Sequence, residues 1–274
     1  MKTILVATDY SSAATNAVDY AANLAKATSA ELVLFNVYRL SIHASNSMAS
    51  ATSIDHRFEQ NQDKLEELTN DTAKRYGIKA RWELTEGDTI GGLKSFTSAH
   101  LVDLVVMGIE SNLLEYKLFG NTTTAAIRLM QFPLLVVPND VQYTGIHKIM
   151  YAAESSYLKD DCELGFLKRF VKDFGVQLEV FHVLKDGSET ESNAKLEQVM
   201  ESILNDVEHT YRYVSNPKVG DGIKVGLEQF PADLLVMIPH KIGFFESLIK
   251  GSNTSQMTVK TRVPLLVIPN ERAC

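Results

Sequence analysis

Two stretches of this chain join a glycine to small hydroxyl- and amide-bearing residues: Gly120-Asn121-Thr122-Thr123 and Gly251-Ser252-Asn253-Thr254. Glycine lets the backbone approach a ligand with no Cβ in the way, and the polar residues after it cap a helix whose free N–H groups attract an anion. Each stretch leads, through a short helical run, to an apolar strand pattern stopped by proline. These are Phe132-Pro133-Leu134-Leu135-Val136-Val137-Pro138-Asn139 and Val263-Pro264-Leu265-Leu266-Val267-Ile268-Pro269-Asn270. The same offset of 131 positions separates Gly120 from Gly251, Pro133 from Pro264 and Pro138 from Pro269. Two such stretches in fixed register mark a duplication. A carboxylate recurs as well: Thr8-Asp9 follows the apolar run Ile4–Ala7, and Glu154 stands opposite Asp9, 145 positions on.

At 274 residues the chain has room for two ordinary domains, and the repeat divides it into 1–140 and 146–274. A hydrophobic content of 45% with 22% charged residues suits two packed cores. The net charge of −7 argues against nucleic acid or an anionic membrane as the main partner, because both reward a basic face. Two cysteines, Cys162 and Cys274, make neither a disulfide framework nor a metal cluster. Met1–Ala7 is too short an apolar run before Asp9 for a signal peptide, and no run approaches bilayer-spanning length. The expectation is a cytoplasmic protein.

The elements that must position these groups alternate. In the first half, strand patterns at Ile4–Ala7, Leu32–Val37, Ile78–Leu84 and Leu104–Met107 are separated by three helical patterns. The first helix is a small-residue stripe of Val18, Ala21, Ala22 and Ala25; the second carries Ile54, Phe58, Leu65, Leu68 and Tyr76 and ends at Gly77; the third spans Ile90–His100. Residues 41–53, rich in Ser, Ala and Thr, carry no period and read as a mobile loop. In the second half the strands recur at Ile149–Ala153, Leu178–Leu184, Tyr211–Val214 and Leu234–Ile238, with Val183 opposite Val37. Leu167, Phe170, Val171 and Phe174 line one helix. Ser188 and Glu191 form a capping box for another, lined by Leu196, Val199, Met200, Ile203 and Val207. The offset falls from 146 at the second strand to 130 at the fourth, where Asp103 matches Asp233; most of that loss matches the serine-rich loop.

Continuous apolar strands alternating with helices predict a parallel sheet covered on both faces. Right-handed crossovers make it doubly wound, with ligands at the carboxyl ends of its strands. Thr8, Asp9, Val37, Met107, Gly108 and Gly120 all fall at such ends or just beyond.

The opening strand followed by Thr8-Asp9-Tyr10-Ser11, the late strand Asp103–Gly108, and Gly-Ser-Asn-Thr before Pro-Leu-Leu-Val-Ile-Pro resemble a universal stress protein, twice over. The resemblance implies two tandem five-stranded α/β domains, dimerisation through the last strand, and in one subgroup ATP or a related nucleotide at the strand ends. That subgroup carries Gly-x2-Gly-x9-Gly-[Ser/Thr], and both copies here depart from it. In the first, Ser111 replaces the second glycine, and Gly120 comes one residue early and is followed by Asn121. In the second, Gly251-Ser252 fits but Ile238 and Lys241 replace the first two glycines.

Each candidate has a plainer reading. Gly120 and Gly251 also suit turns before capped helices. Asp9 reads equally as a ligand contact or as the N-cap of the first helix, whereas Glu154 favours the structural role. Lys241 reads as a solvated loop lysine ahead of a phosphate partner. Leu113-Leu114 and Phe244-Phe245 read as loop packing ahead of a partner surface. The seven histidines show no ligand spacing, and neither Gly-x-Ser-x-Gly nor Cys-x-x-Cys occurs.

The resemblance therefore implies a site for ATP or AMP at Thr8, Asp9, Val37, Met107, Gly108, Gly120, Asn121, Thr122 and Thr123. A weaker one is expected at Glu154, Val183, Lys241, Gly251, Ser252, Asn253 and Thr254. No metal is expected beyond a magnesium ion carried by the nucleotide. No substantial turnover is expected, and the alternative is a scaffold acting through protein contacts. The halves are expected to pair internally through Leu134–Val137 and Leu265–Ile268, related by a pseudo-two-fold, with a further homodimer compatible with that arrangement.

Overall fold

The computed structural model describes residues 1–38, 51–110, 122, 125–127, 131–153, 161–184, 190–238 and 263–269. The first half runs β1 (Thr3–Ala7), α1 (Ser12–Thr28), β2 (Glu31–Tyr38), α2 (Ala51–Tyr76), β3 (Ala80–Glu86), α3 (Thr89–Ala99), β4 (Leu104–Ile109) and β5 (Leu134–Pro138). The second runs β6 (Lys148–Ala152), α4 (Asp161–Phe174), β7 (Gln177–Leu184), α5 (Thr190–Ile203), β8 (His209–Ser215), α6 (Val219–Gln229), β9 (Leu234–Met237) and β10 (Leu265–Val267).

The sixteen described elements belong to one α/β assembly around a ten-stranded sheet in the order β3-β2-β1-β4-β5-β10-β9-β6-β7-β8. Pairing is parallel within each half and antiparallel at the centre, where Leu265 faces Val136, Leu266 faces Leu135 and Val267 faces Leu134. The order reads the same from both edges, so the halves are related by a pseudo-two-fold through this junction. One core runs across it on a single face, holding Leu135 and Val137 from β5 with Leu266 and Ile268 from the end of the chain. The link between the halves packs against α1: Asn16 Nδ2 donates to the carbonyls of Pro138 (2.9 Å) and Val141 (2.8 Å), and Tyr143 meets Tyr20 edge-on at 5.1 Å.

Several local details differ from the periodicity reading. α2 begins at Ala51, so residues 51–53 are helical and not part of the loop. It ends at Gly77 with φ +66°, a left-handed cap whose turn occupies Ile78; β3 therefore starts two residues later than expected. Gly108 lies inside β4, paired with Val137, and not past the strand's end. The helix α6 is not announced by an apolar period, because Gly220, Gly222 and Gly226 interrupt it. Two of those glycines serve contact: a Cβ on Gly222 would lie 2.5 Å from Val183 Cγ1, and one on Gly226 would lie 2.3 Å from the Phe181 ring. In the first half Gly92 sits likewise over Thr85, Phe35 and Val37. The capping box Ser188–Glu191 and the loop apolars Leu113-Leu114 and Phe244-Phe245 lie outside the described side chains.

Both halves also repeat a latch at the base of the sheet. Asp103 Oδ2 accepts the main-chain N–H groups of Lys2 (2.6 Å) and Thr3 (3.0 Å); Asp233 Oδ2 accepts those of His147 (2.8 Å) and Lys148 (3.0 Å). These carboxylates anchor the starts of β1 and β6, at the opposite end from the strands' carboxyl ends.

Leu135 and Leu266, both essentially inaccessible, face each other across the junction. Leu135→Ala and Leu266→Ala should each lower the unfolding free energy by about 2–5 kcal/mol in urea denaturation. Because they share one contact, the double variant should lose measurably less than the sum. Strict additivity would contradict the pairing.

Candidate functional site

The carboxyl ends of β1, β2 and β4 surround a cavity of about 490 Å³. It brings together Thr8, Asp9, Val37, Met107, Gly108 and Thr122 from among the expected site residues, and adds Tyr10, Ser11, Asn36 and Asn61. Ala7, Phe35, Val37 and Met107 give it an apolar wall, and Asp9 stands exposed at the mouth. Val183 lies near the end of β7 in the other half, buried against Gly222. Gly120, Asn121, Thr123, Glu154, Lys241, Gly251, Ser252, Asn253 and Thr254 lie outside the described residues.

Local hydrogen bonds explain how the turn after β1 takes its shape. Thr8 N–H donates to the Phe35 carbonyl at 2.9 Å, extending the β1–β2 ladder by one bond. Thr8 Oγ1 then accepts Tyr10 N–H (3.1 Å), and Asp9 Oδ1 accepts Ser11 N–H (3.0 Å). Ser11 is the N-cap of α1, its hydroxyl accepting Ala14 N–H at 3.2 Å. Of the two readings of Asp9, helix capping is therefore taken by Ser11, and Asp9 shapes the turn from the cavity mouth. Tyr10 has φ +64°, a left-handed conformation costly for a bulky residue and held by the bonds on either side.

Gly108 owes its identity to packing. A Cβ there would lie 2.1 Å from the Ala13 carbonyl oxygen and 2.9 Å from Ala14 N, so the first turn of α1 rests directly on β4. Its backbone borders the cavity, while its open side belongs to the helix. Beyond it, Glu110 accepts the Ser12 hydroxyl (3.1 Å) and the Asn139 amide (3.2 Å), placing a carboxylate beside the start of α1.

The wall facing α1 comes from β2 and α2. Asn36, buried, donates through Nδ2 to the Thr8 carbonyl at 2.6 Å, and Asn61 Nδ2 donates to Asn36 Oδ1 at 2.7 Å. The Tyr10 hydroxyl donates to the Asn61 carbonyl at 3.3 Å, and Lys64 Nζ lies 3.9 Å from the Tyr10 ring centre. Burial pushes the Tyr10 phenol up to about 12, so it stays neutral and remains a donor at physiological pH. Sequence reasoning missed Asn36 and Asn61, yet both left a signal. Asn61 occupies the helical stripe between Phe58 and Leu65, where an apolar residue belongs, and Asn36 interrupts the apolar run of β2.

A doubly wound sheet with a cavity at the carboxyl ends of its strands defines the class, an open-sheet α/β protein. The sequence model of the Universal stress protein family matches residues 1–138, half of the chain, and the protein belongs to that family. Among solved structures, a universal stress protein from Archaeoglobus fulgidus aligns over 98% of both chains with a TM-score of 0.74 at 20% identity. A candidate universal stress protein from Pseudomonas aeruginosa covers 98% of this chain and 93% of its own, with a TM-score of 0.62 at 12% identity. Both share the fold across the two halves. No curated protein matches the chain.

Two outcomes follow. Gly108→Ala must displace helix backbone and should cost about 1–3 kcal/mol of stability in chemical denaturation. Tyr10 has a folded pKa of about 12 against an ordinary 10.0, so the stability it contributes is fully present below pH 10 and is lost as pH rises through about 12. Tyr10→Phe should accordingly show a shallower loss of stability than the unaltered protein between those pH values.

Proposed function

We propose that this chain is a cytoplasmic stress-response protein that binds an adenine nucleotide, ATP or AMP, in its first half without substantial turnover. The observation that carries this reading is convergence: Thr8, Asp9, Val37, Met107, Gly108 and Thr122, from four separate stretches of sequence, line one cavity of about 490 Å³. That size falls within the roughly 300–1,000 Å³ of small-molecule sites. The apolar wall of Ala7, Phe35, Val37 and Met107 suits the flat face of a base, and the exposed Asp9 carboxylate suits ribose hydroxyls. Thr122, a member of the Gly120–Thr123 sequence motif, lines the same cavity. Low turnover is supported by the side chains at hand: Asp9 already accepts a main-chain N–H, and Tyr10 is held neutral.

The first half is the favoured site. Opposite Gly108 the second half carries Ile238, buried in the core, and opposite Asn36 it carries His182, whose Nδ1 is 2.8 Å from the Ala153 carbonyl. The alternative reading, a scaffold that works through protein contacts, is favoured by Glu110: a carboxylate two residues beyond Gly108 opposes an approaching phosphate.

Calorimetric titration with ATP and AMP separates the two. We expect affinity on the order of micromolar, weakened about tenfold by Asp9→Ala, which is one charge-assisted hydrogen bond. Gly120→Val should abolish binding and Gly251→Val should leave it intact; the reverse would move the site to the second half. No binding by the unaltered protein would select the scaffold. Hydrolysis should stay slower than about 1 s⁻¹.

A further inference from the structure

The edge strand β8 sets His209, Tyr211 and Tyr213 against the carboxylate-bearing side of α5. In the first half the positions in the same register on β3 hold Ala80, Trp82 and Leu84, which pack on the core. One half therefore closes its outer edge with apolar contacts and the other with a ladder of titratable groups. The upper rung is simple: the Tyr213 hydroxyl donates to Glu197 Oε1 at 2.6 Å. At the lower rungs several acceptors surround one proton.

The His209 side chain is only 6% exposed, and both of its ring nitrogens are engaged. Nδ1 lies 2.8 Å from the Val207 carbonyl, which accepts and cannot donate, so Nδ1 carries a proton. Nε2 lies 2.8 Å from the Tyr211 hydroxyl and 3.5 Å from Glu201 Oε1. That hydroxyl also reaches two acceptors of α5, Glu201 Oε1 at 3.3 Å and the Glu197 main-chain carbonyl at 3.5 Å. Burial, reinforced by the Glu201 carboxylate, pushes the Tyr211 phenol up, so the hydroxyl keeps its single proton. With the imidazole neutral, Nε2 is a bare acceptor and takes that proton. Both acceptors of α5 then lose their donor, and the carboxylate faces a lone pair. With the imidazole protonated, Nε2–H donates to the Tyr211 oxygen, whose own proton turns to α5. Every donor then has an acceptor, and the imidazolium faces a carboxylate of opposite charge.

The other neighbours of the ring do not compensate. From β7, Leu178 is level with His209 and Val180 with Tyr211, and both are apolar. Glu208 is exposed, and Asp206 is held by Lys168 (2.8 Å) and Lys172 of α4. We infer that the outer edge of the second half is a proton-operated latch: protonation of His209 turns the Tyr211 hydroxyl toward α5 and fastens the end of that helix to β8, and loss of the proton turns the hydroxyl back and releases it. Imidazoles exchange their proton between about pH 5 and 8, which sets the range over which the latch works. The Tyr213–Glu197 bond does not pass through the histidine and holds α5 in both states. The device needs no ligand and stands apart from the nucleotide reading.

The test is amide hydrogen exchange of the full chain at about pH 5.5 and about pH 8, either side of the imidazole range, corrected for the intrinsic pH dependence of exchange and referred to the amides of α1. In the unaltered protein the amides of Glu197–Ile203 should be about tenfold better protected at the lower pH, the equivalent of one hydrogen bond to a charged group. Tyr211→Phe keeps the ring and removes only the hydroxyl, and His209→Gln removes the titrating group; each should abolish the difference. Tyr213→Phe should lower protection at both pH values and keep the difference. Protection of α1 shows in each case that the chain is folded, and the comparison of the two pH values stands without any variant. Equal protection of α5 at the two pH values in the unaltered protein, better protection at the higher pH, or a difference that survives Tyr211→Phe would each overturn the inference.

Discussion

The antiparallel pairing of β5 with β10 is the interaction on which the rest of the molecule depends. Each half ends in an apolar strand that, left alone, would present a row of unpaired N–H and C=O groups at a sheet edge. Joining the two edges satisfies both ladders together and merges the cores: Val267 packs among first-half residues on one face, while Leu266 and Ile268 join Leu135 and Val137 on the other. The outer edges, β3 and β8, are instead the most peripheral and least buried of the strands.

That single antiparallel step also sets the placement of sites. Within each half the strands are parallel, so their carboxyl ends gather along one side of the sheet. Reversing direction at the centre sends the carboxyl ends of the second half to the opposite side. The carboxyl ends of the two sets of strands therefore lie at opposite ends of the sheet and are free to diverge. Gly108 with Asn36 in one copy, against Ile238 with His182 in the other, is what such divergence looks like in residues.

The cavity itself follows from how closely α1 approaches β4. Because Gly108 carries no Cβ, the Ala13 carbonyl can rest on the strand, and the turn between β1 and α1 is drawn over the strand ends. Compressing Thr8–Ser11 into that turn places Tyr10 in the left-handed region, and the displaced ring closes the cavity against Asn61 and Lys64 of α2. Backbone strain at Tyr10 and close packing at Gly108 are two ends of one arrangement.

The sequence alone determined what depends on pattern and repetition. Continuous apolar strands, a small-residue helix and a fixed offset were enough for two tandem doubly wound halves, for their joining through the last strands, and for the convergence of Thr8, Asp9, Val37, Met107 and Gly108, because period and order are one-dimensional properties. What depends on which backbone touches which was decided by tertiary structure. α6 is helical despite its glycines because Phe181 and Val183 leave no room for side chains, and Gly108 is a packing glycine because Ala13 lies against it. Ser11 rather than Asp9 caps α1, a choice between two eligible neighbours that only the turn's geometry makes. Asn36 and Asn61 are far apart in sequence and polar where the pattern calls for apolar residues; only the packing of α2 on β2 joins them and turns two apparent interruptions into one wall of the site.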